Sequence, residues 1–220
     1  MASVGKMIYE GRMQSPPLFI VLEGIDGAGT TTQTERLAAT LTRAGRTAHA
    51  TREPSTGPIG RVLREVLQGG LSAGDRPVDG GTMALLFAAD RRDHLQREIE
   101  PALARGCDVI SDRYLMSSLA YQAEETDRAW VEGLARGIRT PDLTILLDVP
   151  VERAAARRRA AGRMTERYDA DETQRRVAEN YRALARLDPS VVVLDGAGGI
   201  DEVAAAIAAV VEPRLRGGQP

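Results

Sequence analysis

The sequence predicts an α/β protein in which a five-stranded parallel sheet is flanked by helices, three layers in all. Three observations lead there. Short apolar segments alternate with amphipathic helical ones along the chain, as in parallel sheets whose crossovers are helices. The first apolar segment runs directly into a glycine-rich turn and a helix start: L-F-I-V-L-E-G-I-D-G-A-G-T-T-T-Q over residues 18–33. Gly24, Arg52, Asp112 and Asp148 each fall at or just after the end of an apolar segment, which is where ligands gather in such sheets.

Strands are expected near residues 18–23, 46–51, 107–111, 143–148 and 191–194. Helices are expected near 30–43, 58–68, 81–104, 114–122, 127–138, 150–160, 170–186 and 200–211. Gly45, Gly106 and Pro141 punctuate the joins, as residues that stop helices and open strands should. There is no internal repeat and no long low-complexity linker. The expected organisation is a single domain over residues 18–212 carrying a small arginine-rich lid at about 153–168. A flexible extension, residues 1–17, precedes it and ends at Pro16-Pro17, and a flexible tail, residues 213–220, follows.

A chain of 220 residues is long enough to bury one sizeable core. Its formal charge of −2 and pI near 5.8 argue against a generic nucleic-acid-binding surface. Cys107 is the only cysteine, so no internal disulfide exists, and its apolar setting (C-D-V-I-S) suits a buried, inert thiol. No apolar run approaches the length of a membrane span, and the first 17 residues lack the apolar core of a secretory signal. A soluble cytoplasmic protein with no membrane partner is expected. His49 and His94 have no partners at metal-ligand spacing, which excludes zinc chemistry, and no G-x-S-x-G nucleophile motif is present.

The glycine-rich turn matches the phosphate-binding pattern G-x-x-x-x-G-K-[ST] at Gly24, Gly29 and Thr31, with Thr30 where the lysine belongs. Strand, loop and helix in that order place the fold in the P-loop NTPase type. The expected triphosphate cradle is the run Gly24, Ile25, Asp26, Gly27, Ala28, Gly29, Thr30, Thr31 and Thr32. Glycines let the backbone N–H groups approach a ligand, and the helix dipole reinforces the anion site. Thr31 is the expected hydroxyl on Mg²⁺. Asp26 adds negative charge to an anion site, which makes sense if it faces a metal, its water, or an arginine. A glycine-rich turn with no ligand is the bland alternative. Lys6 is the only lysine among 29 basic residues, so any cation that replaces the loop lysine must be an arginine. An uncompensated loss should slow chemistry by orders of magnitude.

Four further clusters carry chemistry. In T-R-E-P at 51–54, Arg52 and Glu53 sit where an acceptor phosphate would be gripped, though a solvated ion pair explains them equally well. In S-D-R-Y at 111–114, Asp112 stands as a Walker B carboxylate would, suited to Mg²⁺, and Arg113 points into the same cleft. A capping Asp beside a structural arginine is the alternative. Ser117, Ser118, Tyr121 and Gln122 follow at helical spacing and suit a base and sugar pocket. In L-F-A-A-D-R-R-D-H-L, Phe87 and Arg91 lie four apart on one helix face, a ring and a guanidinium able to stack on a base and bond its edge. A core Phe beside a surface Arg is the commoner arrangement. Finally, Arg153, Arg157, Arg158, Arg159, Arg163 and Arg167 form a run broken by Ala160-Ala161-Gly162. It reads as a solvated basic face, a nucleic-acid patch, or a lid delivering arginines to the phosphates of ATP. The missing loop lysine favours the lid.

Together these clusters resemble thymidylate kinase, a nucleoside monophosphate kinase family, across residues 18–212. The matching stretches are F-I-V-L-E-G-I-D-G-A-G-x-T-T-Q, T-R-E-P, L-F-A-A-D-R, S-D-R-Y-x-x-S-S-x-A-Y-Q and P-D-L-T-I-L-L-D-V, in that order. The resemblance implies transfer of the γ-phosphoryl of ATP to dTMP with Mg²⁺, in a homodimer. It implies that Phe87 stacks on thymine with Arg91 at the base edge. It puts Arg113 on the dTMP phosphate with Arg52 nearby, and Tyr121 against the sugar, where it disfavours a 2′-hydroxyl. Ser118 and Gln122 fall where base-contacting polar residues lie, and Asp26 matches the acidic loop residue near the acceptor phosphate. Ala28 stands where some members carry an extra catalytic arginine, so this chain looks like the type that supplies it from the lid, around Arg157–Arg167. Expected catalytic residues are therefore Asp26, Arg113, Arg157, Arg163 and Arg167, and expected metal contacts Thr31, Asp26 and Asp112. Two other readings stay open: a nucleotide-binding regulatory protein impaired by Thr30, and a kinase of the same fold for another monophosphate or a nucleoside. A nucleic-acid-binding module fits least, because the basic residues cluster in one lid on an acidic protein.

Overall fold

The computed structural model describes residues 15–71, 76–162 and 167–216. Five strands form one sheet: β1 (Phe19–Glu23), β2 (Ala48–Arg52), β3 (Asp108–Asp112), β4 (Leu143–Asp148) and β5 (Val191–Asp195). Every pairing is parallel, in the order β2-β3-β1-β4-β5. β1 is central and buried at every residue, which is why F-I-V-L is an unbroken apolar run rather than an alternating one. Its side chains still divide by the period of two. Ile20 and Leu22 join a cluster with Leu37, Ile145, Val177 and Ile207, while Phe19 and Val21 join Leu95, Ile99, Val109 and Tyr114 on the other face.

Helices α1 (Thr30–Arg43), α2 (Pro58–Leu67), α3 (Gly80–His94), α4 (Glu100–Ala104), α5 (Leu115–Tyr121), α6 (Arg128–Leu134), α7 (Val151–Ala160), α8 (Asp171–Leu187) and α9 (Ile200–Leu215) cover the faces. The expected single helix over 81–104 is in fact three pieces: α3, a π turn at Leu95–Ile99, and α4. Pro101, in the first turn of α4, has no N–H to give, so the ladder loosens just before it. The helix expected over 127–138 stops at Leu134, between Gly133 and the left-handed Gly137. Ser15 and Pro16 are tied to the body: Ser15 Oγ donates to the Leu215 carbonyl, and Arg46 donates to both residues. Cys107 is buried, as expected, and burial pushes its thiol up. Among the described residues no helix is long and apolar enough to cross a membrane.

Two features of the sheet position the site. β1 lies between β3 and β4, so the chain runs to one side of β1 and later to the other, and the crevice opens at that switch. The register sets Leu22 and Arg52 both opposite Asp112, and Glu23 opposite Leu146. The strand ends therefore deliver Glu23, Arg52 and Asp112 to one edge.

Candidate active site

A cleft of about 720 Å³ opens over that edge, with the glycine-rich loop as its floor and Arg52, Phe87, Arg113, Tyr121, Arg157 and Arg158 on its walls. The loop is shaped by left-handed glycines at Gly27 (φ 88°) and Gly29 (φ 97°). The first helical bond of α1 runs from Gln33 N–H to Gly29 O, at 3.0 Å. No backbone acceptor among the described residues takes the N–H groups of Thr30, Thr31 and Thr32, which leaves an anion site at a helix N-terminus. Thr30 and Thr31 both line the cleft.

Thr31 Oγ1 donates a short hydrogen bond to Asp112 Oδ2. Asp112 Oδ1 is buried with no hydrogen-bond partner among the described residues. A hydroxyl joined to a carboxylate with one oxygen still open fits Mg²⁺, which takes oxygen ligands and keeps several waters. Asp26 Oδ1 accepts from Arg113 at 2.9 Å, and Asp26 Oδ2 accepts from Tyr121 at 3.2 Å and Gln174 at 2.9 Å.

Arg113 is the non-glycine residue with positive φ among the described residues, at 75°. Such strain persists only where surroundings over-determine it. Here its N–H bonds Leu22 O, its carbonyl accepts from Ser111 Oγ, and its guanidinium reaches Ser117, Tyr181, Asp26 and Tyr121. The guanidinium also lies over the Tyr121 ring, 5.2 Å from its centroid.

Phe87 is partly exposed on the cleft wall, so it is not a core residue. Arg91 lies deeper, only 3% exposed. It donates to Glu53 Oε2 at 3.1 Å and to Ser118 Oγ at 2.5 Å. The solvated Arg52–Glu53 pair is not found. Arg52 is exposed, whereas Glu53 is buried and bonded to Arg91 and His94, because adjacent strand-end residues point to opposite sides. Gln122 lines the cleft, and its Oε1 is buried without a partner among the described residues.

The arginine run is divided. Arg157 Nη1 donates to Ala28 O at 3.2 Å and its Nη2 to the carbonyls of Gly196, Ala197 and Gly198. Burial, with Arg153 nearby, holds it below the usual arginine range. Arg158 is buried and donates to Asp26 O at 2.6 Å, with Asp169 and Asp171 beside it. Arg167 pairs with Glu125 at 2.9 Å. Arg163 lies outside the described residues.

A model of the thymidylate kinase family matches residues 22–207. The chain belongs to the thymidylate kinase family. It is 41% identical over 201 residues to the probable thymidylate kinase of Pyrococcus abyssi, covering 90% of this chain and 98% of that one. It is 48% identical over 178 residues to the thymidylate kinase of Thermomicrobium roseum, covering 78% and 82%. The solved thymidylate kinase of Candida albicans superposes with a TM-score of 0.75 at 24% identity, over 90% of this chain and 92% of that one, a likeness of fold.

Within this thymidylate kinase fold, sequence reasoning passed over two site residues. Glu23 is wholly buried and accepts from the N–H groups of Tyr114 and Ser117, from Ser117 Oγ at 2.6 Å and from Tyr181 at 3.1 Å. Its signal was there, a carboxylate ending an apolar strand. Burial pushes its carboxyl up, against its hydroxyl donors and Arg113. Gln174 is also wholly buried, in the stripe Gln174, Val177, Ala178, Tyr181 and Leu184 of α8. One polar residue in an otherwise apolar stripe with aromatic company was the available clue.

Proposed function

We propose that this chain transfers the γ-phosphoryl group of ATP to dTMP, giving ADP and dTDP. The observation that carries the reading is a single cleft holding both a triphosphate loop and an arginine fixed for a second phosphate. Phosphoryl transfer asks the protein for alignment and charge neutralisation rather than covalent chemistry.

In this reading the loop Gly24–Thr32 cradles ATP, with the N–H groups of Thr30, Thr31 and Thr32 open to the phosphates. Thr31 and Asp112 hold Mg²⁺, and Asp112 Oδ1, buried and without a partner among the described residues, supports them. When bound, the ion neutralises phosphate charge. Arg113, aided by Arg52, grips the dTMP phosphate, and Asp26 holds the Arg113 fork in place. Phe87 stacks on thymine. Gln122 Oε1, buried and unpaired among the described residues, suits the N3–H donor of thymine. Arg91 and Ser118 support that wall, Ser117 anchors the helix behind it, and Tyr121 crowds the sugar. The lid about 153–168 supplies the charge that Thr30 cannot. Arg157 and Arg158 both bond the loop, and Arg163 and Arg167 lie further along the same segment. Arg158 and Arg167 of the basic run are engaged with carboxylates, and Arg157 with loop carbonyls, which speaks against a solvated nucleic-acid patch. We also infer a cytoplasmic homodimer, on the family resemblance.

The test is a panel of acceptors, dTMP, dUMP, dCMP, TMP (the ribonucleotide) and thymidine, with ATP and Mg²⁺ and with products read by phosphorus NMR. dTDP should form with the highest kcat/KM. Phe87→Ala should lower kcat/KM for dTMP about tenfold or more, since base–aromatic stacking contributes about 1–3 kcal/mol. Preference for thymidine or another base over dTMP would replace this reading with the other-acceptor one.

A further inference from the structure

We propose that Gln174 is a positioning residue for acceptor binding, acting by holding Asp26 in the orientation that fixes Arg113. The inference rests on the dTMP-kinase reading of this cleft and adds a residue to it.

The Gln174 amide makes three hydrogen bonds, to two segments. Its Oε1 accepts from the Asp26 backbone N–H at 3.1 Å. Its Nε2 donates to Asp26 Oδ2 at 2.9 Å and to the Tyr168 carbonyl at 2.8 Å. One amide thus grips both the main chain and the carboxylate of a single loop residue, which fixes the side-chain torsions of Asp26 as well as its place. The third bond ties the same amide to the end of the lid.

The consequence reaches the acceptor side through Asp26 Oδ1, which takes the Arg113 guanidinium at 2.9 Å. A carboxylate beside a triphosphate site is repelled by the anion it faces. Arg158 also donates to the Asp26 carbonyl at 2.6 Å, and Tyr121 to its Oδ2 at 3.2 Å, but neither bonds both the main chain and the carboxylate of Asp26, as the Gln174 amide does. Gln174 is wholly buried, and a glutamine there brings a donor and an acceptor without adding charge. An apolar residue would pack equally well and hold nothing.

The test is calorimetric titration of the full chain with dTMP and, separately, with a non-hydrolysable ATP analogue and Mg²⁺. Gln174→Met keeps volume and removes the polar grip. Gln174→Glu keeps the shape but sets a carboxylate against that of Asp26. Gln174→Met should weaken dTMP about tenfold and the ATP analogue less than about twofold, and Gln174→Glu should weaken dTMP further despite its closer shape. In an Asp26→Asn background, Gln174→Met should cost less than about twofold, because the residue it acts through is already altered. Equal losses for both ligands, no loss, or full additivity with Asp26→Asn would each overturn the proposal. Should Gln174→Met not fold, the comparison of Gln174→Glu across the two ligands decides alone. Wild-type protein that fails to bind dTMP would count against the kinase reading and not against the Gln174 contacts.

Discussion

Thr30 is where this chain departs from the usual loop, and its neighbours show what the departure changes. The residue lines the cleft but has no full charge to place among the phosphates, while two arginines of α7 bond the loop. Glu23 is the other telling residue. It is a buried carboxylate with no ion-pair partner among the described residues, held by hydroxyls and by N–H groups at the start of α5. Its folded carboxyl is raised above the ordinary 4.5 by burial. Between 4.5 and that raised value the native state binds more protons than the unfolded one, so stability falls as pH rises through the window. Glu23→Gln cannot titrate. Its melting temperature should trail the wild type most at and below pH 4.5 and close the gap as pH rises. A gap that widens with pH would mean the native state favours the ionised form.

At the scale of elements, the loop and α7 are built against each other. A Cβ on Gly27 would stand 2.4 Å from the Ala154 carbonyl and 3.0 Å from Arg158 Cγ, and its φ of +88° is one that side chains disfavour. Gly27→Ala should therefore cost about 1–3 kcal/mol in strain and push α7 off the loop. Thermal unfolding and the KM for ATP measure both effects, and an unchanged KM with lowered stability would separate α7 from ATP binding. The strands and most helices were legible in the sequence because their apolar periods are local properties. The break at Leu95–Ile99 was not, since the period continues through it and only Pro101 hints at a disturbed ladder. The site was legible where residues form short motifs, as with Asp26, Asp112 and Arg113. It was not where partners lie far apart, as Gln174 and Asp26 do, or Arg91 and Glu53.

At the scale of the molecule, a nearly neutral protein concentrates opposed charges at one end of its sheet. Arginines from β2, the turn after β3, and α7 face one cleft, each held by carboxylates or carbonyls, except that Arg52 has no ion-pair partner among the described residues. A site of that kind is organised before substrate arrives, which is what a reaction governed by alignment requires. This arrangement should still turn over without the loop lysine. The direct measurement is ADP production from ATP and Mg²⁺ with dTMP, comparing wild type, Thr30→Lys, and alanine at Arg157, Arg158, Arg163 and Arg167. The wild type should show dTMP-dependent turnover, and at least one lid alanine should lose about a hundredfold or more, the scale at which a phosphate-stabilising arginine acts. Wild-type protein that binds dTMP and ATP without turnover, and gains activity only as Thr30→Lys, would contradict that expectation.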